Sequence, residues 1–187
     1  MIRLILSRLL KRIAGDRGTA AVEFALVAPL MIAIYLGVVE LTGLLLVDRK
    51  VIAATETAAD LVSQESVISP TEVDDVIAAA QRIFDPYPTA TLTVNIASIR
   101  FNTNSGAAEI EWQRVSGDSN AGSTILSEAA GLGLPGEGVV IVYVTYSYTP
   151  MFGSLITGSV NLVEMSFLRP RRSPVVKCTT TSATCSS

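Results

Sequence analysis

From Phe24 to Val47 the chain runs for 24 residues with one charged side chain, Glu40. An apolar run of about 20 residues is enough for a helix to cross a bilayer, so this segment dictates a membrane-spanning helix before any other feature is weighed. Within residues 1–18, Arg3, Arg8, Lys11, Arg12 and Arg17 stand against Asp16 alone, while Asp48, Arg49 and Lys50 follow the run. The excess of basic residues on the N-terminal side predicts that this side stays in the cytoplasm and that the rest is exported. A secretory signal peptide would also start with basic residues, but its apolar core is about 7–15 residues and ends at a small-residue cleavage site. Here the run is longer and passes into Val51–Gln64, a further helical segment. One crossing is the reading, because no later segment is apolar over a comparable length.

Residues 19–66 read as one long helix, partly in the membrane and partly beyond it. Pro29, lacking an N–H and carrying a bulky ring, is expected to bend it. Ala21, Ala25, Pro29, Ala33 and Gly37 recur every fourth residue, a ridge of small side chains where another helix could approach closely. Past the charged cluster, Val51, Ala54, Ala58, Leu61 and Val62 form an apolar stripe suited to lying on a sheet. Ser69-Pro70-Thr71-Glu72 is a capping box with proline at the first helical position, and it starts a helix that Asp85-Pro86 ends. Its buried stripe is Val73, Val76, Ile77, Ala80 and Phe84.

Four strands follow at 91–101, 107–115, 138–148 and 160–168, with turn chemistry at 102–106. The first changes phase from Leu92, Val94 and Ile96 to Ile99 and Phe101, which predicts a bulge near Ala97-Ser98. Residues 117–136 are rich in Gly, Ser and Asn around a weakly helical 124–130 and read as a surface excursion. The fold class is therefore α+β: a long transmembrane helix extending into a small exported domain with one more helix and a mostly antiparallel, about four-stranded sheet. The divisions are a basic leader (1–18), the long helix (19–66), the exported domain (67–177) and a flexible Thr/Ser-rich tail (178–187).

Composition narrows the chemistry. The chain has no histidine, so neither a Ser-His-Asp nor a Cys-His arrangement can be built. Gly131–Gly136 lacks the strand before and helix after that would make a glycine-rich stretch a phosphate loop. Glu109 and Glu111 alternate on one strand and read as a solvated face. Cys178 and Cys185 are too few for a structural zinc site, which wants four ligands. Outside the cytoplasm they are permitted a disulfide, and two free thiols in a disordered end is the other reading. No enzyme, cofactor or metal is expected.

One further carboxylate needs a reason. Glu23 lies at the mouth of the apolar run, five residues past Gly18, and a glutamate in a membrane segment costs up to about 2.5–3.5 kcal/mol at mid-bilayer. Over Arg17-Gly18-Thr19-Ala20-Ala21-Val22-Glu23-Phe24-Ala25 to Pro29, and again at Gly37-Val38-Val39-Glu40, the sequence resembles the TadE-like proteins, minor pseudopilins of the tight-adherence (Flp, type IVc) pilus system of bacteria. Val142–Pro150 and Arg169-Pro170-Arg171 are similar to the C-terminal part of such proteins, mostly in strand composition. The resemblance implies a type IV pilin-like subunit of the bacterial inner membrane. It also implies a prepilin peptidase that cuts between Gly18 and Thr19, other pilins and assembly machinery as partners, and pilus biogenesis for adhesion or secretion as the function. Gly15 is the other nearby glycine, but five residues beyond it stands Ala20.

Cleavage at Gly18 would remove five basic residues and one acidic one, taking the net charge from −3 to −7. An acidic product argues against nucleic acid as a partner. Cleavage would also create a positive amine at Thr19, and a charge in an apolar setting needs pairing. Glu23, near the positive end of the helix dipole, is the expected partner and the residue expected to set subunit register. Glu40, about 25 Å further along at ~1.5 Å per residue, is out of reach. It is expected near the outer interface or against another subunit's helix. The alternative function is an unprocessed, signal-anchored envelope protein whose exported domain binds a partner or ligand.

Overall fold

The computed structural model describes residues 18–118, 124–152, 158–180 and 185. Except for Gly18, the basic leader lies outside them. Helix α1 runs unbroken from Thr19 to Ser63 through Pro29. The chain continues through β1 (Val67–Ile68), α2 (Pro70–Ile83), β2 (Leu92–Phe101), β3 (Ala108–Ser116), a single turn α3 (Ile125–Glu128), β4 (Gly138–Tyr148), β5 (Val160–Leu168) and β6 (Lys177–Cys178). The four long strands form an antiparallel sheet in the order β3-β2-β4-β5, and β1 pairs in parallel with β6. The α+β architecture is the one expected.

Helix α1 divides by what surrounds it. Its large apolar side chains from Val22 to Leu46 are mostly exposed, whereas Val47, Val51, Ala54, Ala58, Ala59 and Val62 are buried in the main core. Small residues at 54, 58 and 59 let the helix backbone lie close to β4 and β5. Leu61, expected on the buried stripe, is instead 39% exposed. The buried arc also takes in Thr55, Ala59 and Ser63, so it is turned away from 61, which lies at its edge.

Helix α2 packs beside α1 and starts as its sequence requires. Ser69 Oγ accepts from the Glu72 N–H at 3.3 Å and the Ser69 N–H donates to Glu72 Oε2 at 2.7 Å. The bond from the Ser69 N–H, helped by one from the Ser69 hydroxyl to the same oxygen, holds the Glu72 carboxyl below the ordinary glutamate range. Val73, Ile77, Ala80 and Phe84 are buried, and the Phe84 ring packs 5.1 Å from Tyr146 on β4. Lys50 of α1 donates to the carbonyls of Ile83 (2.7 Å) and Asp85 (2.8 Å), so it caps the end of α2.

A bulge lies at the position the phase change in β2 predicted, between Ser98 and Ile99 of the β2–β3 pairing, but its extra residue is not in β2. Pairing between β2 and β4 is regular from Leu92–Tyr146 to Arg100–Gly138, so β2 itself carries no extra residue. The irregularity lies on the other side: Ser98 pairs with Trp112 and Ile99 with Ile110, leaving Glu111 as the extra residue of β3. What changes along β2 is the face that is covered. Leu92, Val94 and Ile96 point into the core under α1, while Ala97, Ile99 and Phe101 point into a second core with Val139, Ile141, Ile125 and Ala129.

The excursion at 117–136 is therefore more than surface. Through α3 it buries Ile125 and Ala129, to 1% and 0% exposure, on the far face of the sheet. Gly133 permits this approach, because a Cβ there would sit 2.2 Å from the Phe101 ring. Glu109 and Glu111 both pair with Arg100, at 2.7 and 3.2 Å, on partly exposed surface.

The C-terminal segment also departs from the expected tail. Residues 171–178 strap across the domain: the Arg171 N–H donates to the Ser63 carbonyl at 2.8 Å, and its guanidinium pairs with Asp60. The Val176 carbonyl accepts from both Ser98 Oγ (2.8 Å) and Trp112 Nε1 (2.9 Å). A division at 177/178 cuts through β6. Cys178 is bonded to Cys185 (Cα–Cα 5.8 Å), and Cys185 is itself buried in the main core.

Candidate functional site

Two carboxylates on one helix, Glu23 and Glu40, have opposite surroundings. Gly18 occupies the N-cap position in a helical conformation, with no side chain to cap the helix, and its carbonyl accepts from the Val22 N–H at 3.2 Å. Thr19 and Glu23 are one turn apart and so share a helix face. Glu23 is exposed and lies just past the first turn. The geometry puts a residue-19 amine, were one created, about one helical turn from this carboxylate.

The small-residue ridge is laid out on the same stretch. Ala21, Ala25, Pro29, Ala33 and Gly37 are all exposed, and a Cβ at Gly37 would meet nothing within 4 Å. Pro29 leaves the Ala25 carbonyl without its usual helical donor. Ala33 and Gly37, at the domain end of the ridge, border an apolar cleft of about 500 Å³ closed on the other side by Tyr148, Pro150 and Phe152. The ridge thus has one end under the domain and the rest without cover from the described residues.

Glu40 is held by its own chain. Its Oε1 accepts from the Met151 N–H at 2.7 Å and the Tyr148 hydroxyl at 3.3 Å, and its Oε2 accepts from the Phe152 N–H at 3.0 Å. From the sequence, Glu40 is expected near the outer interface or against another subunit's helix; the partners seen for it belong to its own chain. The carboxylate satisfies two backbone donors of the β4–β5 connection and ties that connection to α1 where the helix leaves the domain. Partial burial, then the nearby Glu40 charge and the hydrogen bond to it, raise the Tyr148 phenol above its ordinary range, so it stays protonated and donates. Gly43 makes the room: a Cβ there would lie 2.9 Å from the Tyr148 oxygen.

The clamp is the arrangement that sequence reasoning missed. The one signal pointing to it was the cost of leaving Glu40 unpaired in an apolar run, together with a glycine three residues on. The partners lie 108 to 112 residues away along the chain, and no local pattern marks them.

Comparison with known proteins bears on the helix. Residues 18–60 match the model of a family described as TadE-like protein, a segment that includes Gly18, Glu23, the ridge and Glu40. No curated protein and no solved structure matches the chain.

Proposed function

We propose, from the match of residues 18–60 to the TadE-like family, that this chain is a TadE-like minor pseudopilin of a Tad pilus system. A prepilin peptidase cuts it between Gly18 and Thr19, and the mature helix then enters the assembly. The observation that carries this reading is the division of α1. One half packs into a folded domain, and the other, with Gly18 and Glu23 at its head, offers an exposed apolar surface to lipid or to other helices. Removal of the leader creates an ammonium group at Thr19, which pairs with a Glu23 carboxylate of the same chain or a neighbour and fixes register. The ridge of Ala21, Ala25, Pro29, Ala33 and Gly37 gives neighbouring helices a close approach. The single span holds the N-terminus in the cytoplasm and places the α+β domain outside, where Cys178–Cys185 is stable to the redox environment.

Intact mass of the protein, expressed with and without the matching peptidase, tests the processing step. The expected product lacks residues 1–18, and Gly18→Leu leaves the precursor uncut. Retention of the leader in the presence of active peptidase would instead favour a signal-anchored envelope protein.

A further inference from the structure

The β4–β5 connection has properties that neither the domain core nor the pilin-like helix requires. From Gly138 to Val163 the sequence carries no charged side chain. At the start of the connection Met151 is 80% and Phe152 51% exposed, beside the exposed apolar surface of α1. Irregular backbone is normally kept out of lipid because its N–H groups would lose their partners. Here that penalty is removed over three successive residues: Pro150 has no N–H, and those of Met151 and Phe152 are bound by Glu40.

The level of the clamp is also informative. Glu40 is 21 residues beyond Thr19, or ~32 Å at ~1.5 Å per residue. A bilayer's hydrocarbon core is ~30 Å thick. With Thr19 at one face, Glu40 stands at the boundary on the domain side.

We propose that Pro150-Met151-Phe152 is a second membrane contact. It inserts Met151 and Phe152 into the lipid interface on the domain side, with Glu40 as the residue that holds it at that depth. The occupant of this surface is lipid: the contact is continuous with the apolar face of the spanning helix, and the sequence on both sides of it, from Gly138 to Val163, carries no charge. Two contacts, the helix and Pro150-Met151-Phe152, then restrict the tilt of the domain against the membrane. The proposal rests on α1 spanning the bilayer, and its test separates the two claims.

The full-length protein is reconstituted into phosphatidylcholine vesicles whose acyl chains are brominated near the headgroup or near the bilayer centre, and tryptophan emission is read. Trp112, buried in the core, serves as the constant background. Phe152→Trp and, as a second reporter, Met151→Trp are expected to lose emission most with shallow bromines. Ile32→Trp, on the exposed middle of the span, is expected to lose it most with deep ones. Adding Glu40→Ala to either loop reporter is expected to restore much of the lost emission. Loop reporters that are unquenched while Ile32→Trp is quenched would overturn the loop contact and leave the span intact, and this includes the case of residues 151 and 152 covered by protein. An unquenched Ile32→Trp would overturn the span and the proposal with it. Quenching of the loop that persists unchanged in Glu40→Ala would remove Glu40 from the device.

Discussion

At the scale of single residues, identical chemistry is used in two ways. Glu23 is exposed at the head of the helix, while Glu40 accepts three hydrogen bonds from its own chain. Replacing Glu40 with alanine strands two backbone donors, and bonds to a charged acceptor are worth about 1.5–3 kcal/mol each. Amide hydrogen exchange in nanodiscs should therefore quicken at Met151 and Phe152 by roughly tenfold or more, with the core strands unaffected. Gly43→Ala should give a milder version, because it displaces only the Tyr148 hydroxyl. Glu40 was visible in the sequence as a carboxylate needing a partner. The partner was not, since it depends on how β4 is laid beside α1.

At the scale of elements, local signals carried most of the fold. Helix α2 was legible to its first residue because a capping box is a contact within four residues, and its start needs nothing from the rest of the molecule. Ser69→Ala should cost about 1 kcal/mol in a denaturation midpoint. The Glu72 half of the box also predicts a pH response. Its carboxyl titrates lower folded than unfolded, so its contribution is complete above the ordinary glutamate range and is lost as pH falls through the lowered value. Stability measured against pH should show this loss in the wild type and not in Glu72→Gln. The phase change of β2 and the misreading of the 117–136 excursion share one cause. A strand covered on both faces changes phase with its cover, and the cover comes from Ile125 and Ala129, more than 20 residues away. A segment rich in Gly and Ser gave no local sign that two of its apolar residues close a second core. Ala54→Leu, by contrast, tests a face that was legible, and overpacking it against the sheet should destabilise the domain by about 1–3 kcal/mol.

At the scale of the whole molecule, α1 is shared between two environments, and the domain is closed by its own C-terminal strap. Cys178–Cys185 fixes the end of that strap and keeps Cys185 in the core. Reduction should lower stability by roughly 2–3 kcal/mol on loop-closure grounds, seen as a lower melting temperature with reductant. On the proposed function, the role of the exposed stretch of α1 lies in the assembly. The most direct test of that role is to follow processing and pilus formation together in Glu23→Ala, in cells that carry the peptidase. The account predicts a protein trimmed to Thr19, as read by intact mass, with loss of surface pili. Trimmed Glu23→Ala protein with undiminished pili would contradict it.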